Sequence, residues 1–209
     1  MTVTSLDQAL AEVAAFSDPT NARILDAAYA EFTSGGVRRT TMNEIADAAG
    51  LGVATVYRRF PQKAKLLSAV IIREAMAVTA LVAAELDRAD STVEEQAAGG
   101  FTAFAHAIVD RPLLVRLLRG DADHDGEAVA PADVVDRVLA IAKEYIAGWI
   151  TRRQDAGQYR SIDARIVAEI EARVALSLIL VPDGDIPMTD DAATRAFAQK
   201  YLVPLLGPE

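Results

Sequence analysis

A chain of 209 residues without cysteine is long enough to bury a hydrophobic core, and it excludes disulfides, thiolate nucleophiles and Cys-ligated zinc or iron–sulfur centres. Its net charge of −9, taken alone, argues against nucleic acid as a partner, but the charge is uneven. Residues 20–75 hold eight Lys or Arg against five Asp or Glu, residues 76–209 hold thirteen against twenty-two, and residues 38–65 hold six cations against two anions. A local basic surface is what a polyanion meets. The N-terminus carries no basic segment leading into an apolar run, and "VALSLILVP" (174–182) is too short to span a bilayer. A soluble, cytoplasmic protein is expected.

Apolar spacing is of helical type throughout, so an all-α fold is expected. "SLDQALAEVAAF" (5–16) reads as a short amphipathic helix through Leu6, Leu10 and Val13, ended by "SDP". The next helix runs from about Thr20 to Ser34 with Ile24, Leu25, Ala28, Tyr29 and Phe32 on one face, stopped by Gly35–Gly36. Thr41 stands three residues before Glu44, the spacing of a capping box. A helix from Lys63 is expected to reach Asp90. Another, capped by Ser91 or Thr92, should reach Asp110 with a weak spot at Gly99–Gly100, and a short one opens at Pro112. Helices at about 132–156, 162–181 and 190–206 complete the chain.

Residues 41–60 read as helix, turn, helix. Ile45 and Ala46 point inward, Gly50 supplies the left-handed turn, Leu51 buries beneath it, and Val56 and Phe60 form one inward stripe. A second helix this short cannot hold itself together in water and needs bracing. Its other faces carry Val53, Ala54, Thr55, Tyr57, Arg58 and Arg59. Small and methyl-bearing side chains suit thymine methyls in a major groove, Arg forks onto guanine, and the Tyr57 hydroxyl and Lys63 can reach phosphates.

"TTMNEIADAAGLGVATVYRRFPQKAKLL" resembles the helix-turn-helix of TetR-family transcriptional repressors, and with the preceding helix the likeness covers about residues 20–70. The resemblance implies an all-α homodimer: an N-terminal three-helix helix-turn-helix head and a larger C-terminal helical domain for ligand binding and dimerisation. The corresponding division is an extension at 1–18, a DNA-binding domain at 19–66 and an effector-binding and dimerisation domain at 67–209. Carried over, the DNA contacts are Val53, Ala54, Thr55, Tyr57, Arg58 and Arg59 with the Gly52 turn, Lys63 on a phosphate, and Thr41, Met42 and Asn43 near the backbone or groove. Gly52 stands where many relatives carry an N-capping Ser, and Ala64 where an acidic residue is frequent. The N-terminal arm lacks a Lys or Arg cluster for the minor groove.

In the remainder, Phe101, Phe104, His106, Tyr145 and Trp149 are candidates for an effector pocket, and core packing is the plainer alternative for each. Ile162, Ile166, Ile170, Val174 and Leu178 form one four-residue ridge, and Ala193, Phe197, Tyr201 and Leu205 another. They suit either their own core or an antiparallel four-helix interface between two subunits. "DADHDG" matches the first half of a calcium loop through Asp121, Asp123, Asp125 and Gly126, but Ala132 occupies the place of the bidentate Glu. It reads as a solvated acidic loop, with His124 exposed and no metal bound. "RRQDAGQYR" (152–160) reads as a solvated helix end. No motif for nucleotide, cofactor or nucleophilic catalysis occurs, so neither an enzyme nor a cofactor is expected. The expected function is a ligand-responsive repressor of a palindromic operator, bound as a homodimer and released by a small apolar effector. The alternative is a helical binding or interaction module without specific DNA recognition.

Overall fold

The computed structural model describes residues 18–119, 134–181 and 183–206. The expected 5–16 helix and the acidic loop with Asp121, Asp123, His124, Asp125, Gly126 and Ala132 lie outside them. The described residues form helices without a strand: α1 (Pro19–Gly35), α2 (Met42–Ala48), α3 (Val53–Arg59), α4 (Lys63–Leu86), α5 (Val93–Val109), α6 (Pro112–Leu118), α7 (Val134–Asp155), α8 (Ala164–Leu180) and α9 (Asp191–Phe197). They separate into two compact units. One comprises the described residues up to Ala75 with those of Leu113–Arg137, and the other those of Met76–Pro112 and from Val138 onward.

In the first unit, α1 begins at the "SDP" that reads as the end of an earlier helix. The Asp18 carboxylate accepts from the backbone N–H of Thr20 (2.9 Å) and Asn21 (3.1 Å), and Pro19 fits the first turn, where its missing N–H has no partner to lose. Ile24, Leu25 and Phe32 of α1, Ile45 of α2, Val56 of α3, and Leu66, Ile71 and Ile72 of α4 are fully buried. Leu113, Leu114, Leu117 and Leu118 of α6 are buried too, and Arg116 donates to the Phe32 carbonyl at 3.0 Å. By length and composition α4 could cross a membrane, but its apolar side chains in this unit are core.

In the second unit, α4 stops four residues before the expected Asp90. The Leu86 carbonyl, orphaned at a helix end, accepts instead from Trp149 Nε1 (3.0 Å) and Arg153 Nη2 (3.2 Å) of α7. Leu86, Trp149, Ile150, Tyr159, Ala168 and Leu206 form one core cluster. Thr92 caps α5 with a complete capping box to Glu95. Gly99–Gly100 is no weak spot: α5 runs through it unbroken. A Cβ on Gly100 would lie 2.9 Å from Leu86 Cδ2, and one on Gly99 2.8 Å from Glu85 Oε2, so the pair lets α5 approach α4 closely. The helix expected over 190–206 changes winding. After α9 comes a π-helical turn, Ala198–Leu202, and then a 3-10 turn, Val203–Leu206, where Pro204 has no N–H to continue the ladder.

Candidate nucleic-acid interface

The site is built from α2, its turn and α3. Thr41 and Glu44 make a reciprocal capping box: Thr41 Oγ1 accepts from Glu44 N–H at 3.2 Å, and the Glu44 carboxylate accepts from Thr41 N–H at 2.7 Å. Those bonds hold the Glu44 carboxyl below the usual carboxylate range. Gly50 takes φ +62°, the left-handed value that lets the chain reverse between α2 and α3. Leu51 N–H donates to the Ala46 carbonyl at 2.9 Å, and its side chain is half-buried.

The helix α3 has seven residues and no side-chain cap at Gly52, so packing must hold it. Val56 and Phe60 supply that packing, buried at 0% and 7% exposure. The remaining faces point outward: Ala54, Tyr57, Arg58 and Arg59 are exposed, and Val53 and Thr55 are half-buried. Tyr57 keeps 46% of its surface in solvent, costly for an aromatic ring without a partner. Thr41, Asn43 and Gly52 are exposed beside this face, whereas Met42 is 6% exposed and belongs to the core rather than to a groove contact.

Lys63, expected on a phosphate, spends its ammonium inside the protein. Nζ donates to the carbonyls of Val37 (2.9 Å), Arg38 (3.0 Å) and Thr40 (3.0 Å). An ammonium has three protons. Lys63 therefore ties the loop between α1 and α2 to the start of α4, and a phosphate would have to compete with those carbonyls. Arg23 of α1 braces the turn in the same manner, donating to the carbonyls of Ala49 (2.6 Å) and Gly50 (3.3 Å). Arg59 leans back to Asp18, Nη2 to Oδ2 at 3.5 Å. No local sequence pattern marks these three long-range contacts; only the Asp18–Pro19 pair was open to recognition, as a helix start.

The arrangement is a propped helix with a short apolar root and an outward face of hydroxyl, methyl and guanidinium groups, suited to the edges of bases in a groove. Residues 24–70 match the family model described as bacterial regulatory proteins, tetR family. Over these residues the chain is similar to TetR-family transcription regulators.

Relatives extend the likeness beyond the head. An uncharacterized HTH-type transcriptional regulator of Mycobacterium bovis is 28% identical over 177 residues, 83% of this chain and 87% of that one. The HTH-type transcriptional repressor KstR of Mycobacterium tuberculosis is 30% identical over 128 residues, 56% of this chain and 53% of its own. Among solved structures, a bacterial regulatory protein in the tetR family from Rhodococcus RHA1 superposes with a TM-score of 0.58 at 19% identity, over 92% of this chain and all of that one.

The five pocket candidates in the second unit do not form one constellation. Phe101 and Phe104 of α5 stack in a line with Phe197 and Tyr201, at successive centroid distances of 6.1, 5.7 and 5.2 Å. His106 Nε2 pairs with Asp191 Oδ1 at 2.6 Å. Trp149 is core, edge-on to Tyr159 at 5.8 Å, and Tyr145 packs at the margin of the same cluster. Burial, with Asp87 nearby, pushes the Tyr145 phenol up. The stretch 152–160 is not simply solvated. Gly157 at φ +70° turns the chain back, Tyr159 is buried, and Arg153 lies over the Trp149 ring at 5.5 Å.

The expected ridge on α8 divides. Ile166 and Ile170 are exposed, Val174 is half-buried and Leu178 is core at 7% exposure. A strict four-residue spacing advances about 40° per step around a 3.6-residue helix, so the row winds from one face to another. Near the C-terminus Ala193, Tyr201 and Leu205 are exposed and Phe197 is half-buried against Phe101.

Proposed function

We propose that this chain is a TetR-family, ligand-responsive repressor that binds a palindromic operator as a homodimer, in the cytoplasm, and performs no catalysis. The observation that carries the reading is the polarity of α3: Val56 and Phe60 root it in the core while Tyr57, Arg58 and Arg59 stand in solvent beside Ala54. Repression is supported by the repressor named among its relatives. A homodimer is supported by the isoleucines and aromatics left exposed on α8 and at the C-terminal turns, with Ile166 at 57% and Tyr201 at 54% exposure. A palindromic operator calls for two recognition helices about one DNA turn apart, ~34–36 Å, which two copies of the chain would supply. An effector in the helical body then favours a spacing that no longer fits both half-sites.

Selection of bound fragments from a random DNA pool, followed by gel shift, tests the reading. A palindromic consensus is expected, with affinity falling steeply as salt rises. Arg58→Ala should weaken consensus binding by roughly 1–3 kcal/mol if it reads a base. Recovery of no consensus at any salt would overturn the proposal in favour of a binding module without operator recognition.

A further inference from the structure

We infer that the carboxyl of Glu171 and the buried hydroxyl of Tyr159 form the polar end of a ligand site inside the second unit, and that it takes an amphipathic cation, an amine on an apolar body. The inference rests on the effector reading and gives that effector a chemistry.

The helix α8 is laid out inside-out. Ala168, Glu171, Ala175 and Leu178 fall on one side of a 3.6-residue helix, and Ala168 and Leu178 are buried. Ile166 and Ile170 fall on the opposite side and are exposed. A carboxyl thus occupies a core-facing position while two isoleucines face out. Among the described residues Glu171 has no hydrogen-bond or ion-pair partner, and burial alone pushes its carboxyl up to about 7. Its side chain nevertheless stays half-buried rather than sealed. A carboxyl on the inward side of its helix, unpaired among the described residues, is a group that a bound cation would match.

Tyr159 supplies the second observation. Its ring is 5% exposed, packed edge-on to Trp149, and its hydroxyl is buried without a partner. A buried hydroxyl left unmatched costs about 1–3 kcal/mol, which a bound donor or acceptor would recover. The charges that act on it are the carboxylates of Glu94 and Glu171 and the guanidinium of Arg153. Arg153 is already committed, to the Leu86 carbonyl, the Gln158 amide oxygen and Asp87 at 3.8 Å. Arg153 Nε is itself buried without a partner, but two acidic groups against one cation still leave a net negative niche that attracts positive charge and repels a carboxylate. An ammonium can donate at once to the Glu171 carboxylate and the Tyr159 oxygen. An apolar body has apolar neighbours to meet: Val167 and Ala164 of α8, Tyr145 and Ile146 of α7 and Val82 of α4 are only partly buried where they pack against the cluster that holds Tyr159.

The test titrates the full chain, at pH 7.5 and below micelle-forming concentrations, with n-decylamine and n-decanoate, which share an apolar tail and differ in the sign of the head. Calorimetry should show decylamine binding saturably, one per chain, at least about tenfold tighter than decanoate, as expected when one charge-assisted hydrogen bond is gained. Glu171→Gln should erase the preference for the amine, and Tyr159→Phe should weaken the amine severalfold; circular dichroism and chain association should match the unaltered protein. Equal binding of the two probes, a preference that survives Glu171→Gln, or no saturable binding overturns the inference. Gel shift without either probe runs alongside. DNA binding with no amine preference removes this site alone, whereas amine binding with no operator removes the regulatory reading and leaves the site.

Discussion

The two compact units differ in how their buried polar groups are matched. In the first, the long cations are tied to backbone: Lys63 to three carbonyls, Arg23 to two, Arg116 to the Phe32 carbonyl, while Arg73 meets Asp26 at 2.7 Å and the Leu25 carbonyl. In the second, Tyr159 Oη and Gln96 Oε1 are buried without partners and the Glu171 carboxyl is unpaired. Apolar groups show the converse: among the described large ones of the head Tyr57 alone is exposed, whereas the second unit leaves Ile166, Ile170, Tyr201 and Leu205 in solvent. Satisfied groups hold one geometry, which suits a surface that must match a duplex. Unsatisfied ones leave room for a partner, which suits the proposed response to a small molecule and to a second copy.

Substitutions can break this contrast. The largest expected effect is structural and local to the head: Phe32→Ala removes a fully buried ring and should cost about 3–5 kcal/mol in denaturant unfolding, taking DNA binding with it. Next is a pH effect in the second unit. Glu171 has an ordinary value of 4.5 and a folded value of about 7. The folded state therefore keeps a proton that the unfolded chain releases, and stability falls as pH rises from about 4.5 to about 7. The fall should be about 2 kcal/mol after allowing for the remaining solvent access, and Glu171→Gln should lack it in urea titrations across that range. The head has the opposite sign. Hydrogen bonds hold Asp18 and Glu44 below their ordinary values, so their contribution is present at neutral pH and is lost as pH falls below about 4.

Lys63→Met should destabilise the head by roughly 1–2 kcal/mol by freeing three carbonyls, while Lys65→Met should change little. Gel shifts sharpen the point. If Lys63 acts by bracing, the salt slope of DNA binding stays unchanged in the variant; if it neutralises a phosphate, the slope drops by about one. The smallest effect belongs to Gly52→Ser. Open space surrounds a Cβ there and φ is −66°, so the added cap should stabilise α3 by a few tenths of a kcal/mol, visible as a small rise in the melting temperature.

Much of the recognition surface was legible before any fold was known, because its signals are local. A cap and its reciprocal Glu lie three residues apart, a left-handed turn asks for Gly50, and Val56 and Phe60 are one helical turn apart. The same locality explains what the sequence did not show. Lys63 looks like any cation at a helix start, and only its spatial neighbours reveal the three carbonyls for which a phosphate would have to compete. The ridge from Ile162 to Leu178 looks continuous in one dimension but winds about the helix, so its end enters the core. Gly99–Gly100 looks like a break until Leu86 is seen against it.

The sequence by itself determined the helices, their caps and the outward chemistry of α3, since these depend on residues within a turn or two of one another. Tertiary structure alone decided which cations are spent on carbonyls, which face of α8 is inside, and that a carboxyl and a phenol share the interior of the second unit. Those facts depend on groups brought together across tens of residues, and burial and partnership exist only once the chain has closed on itself.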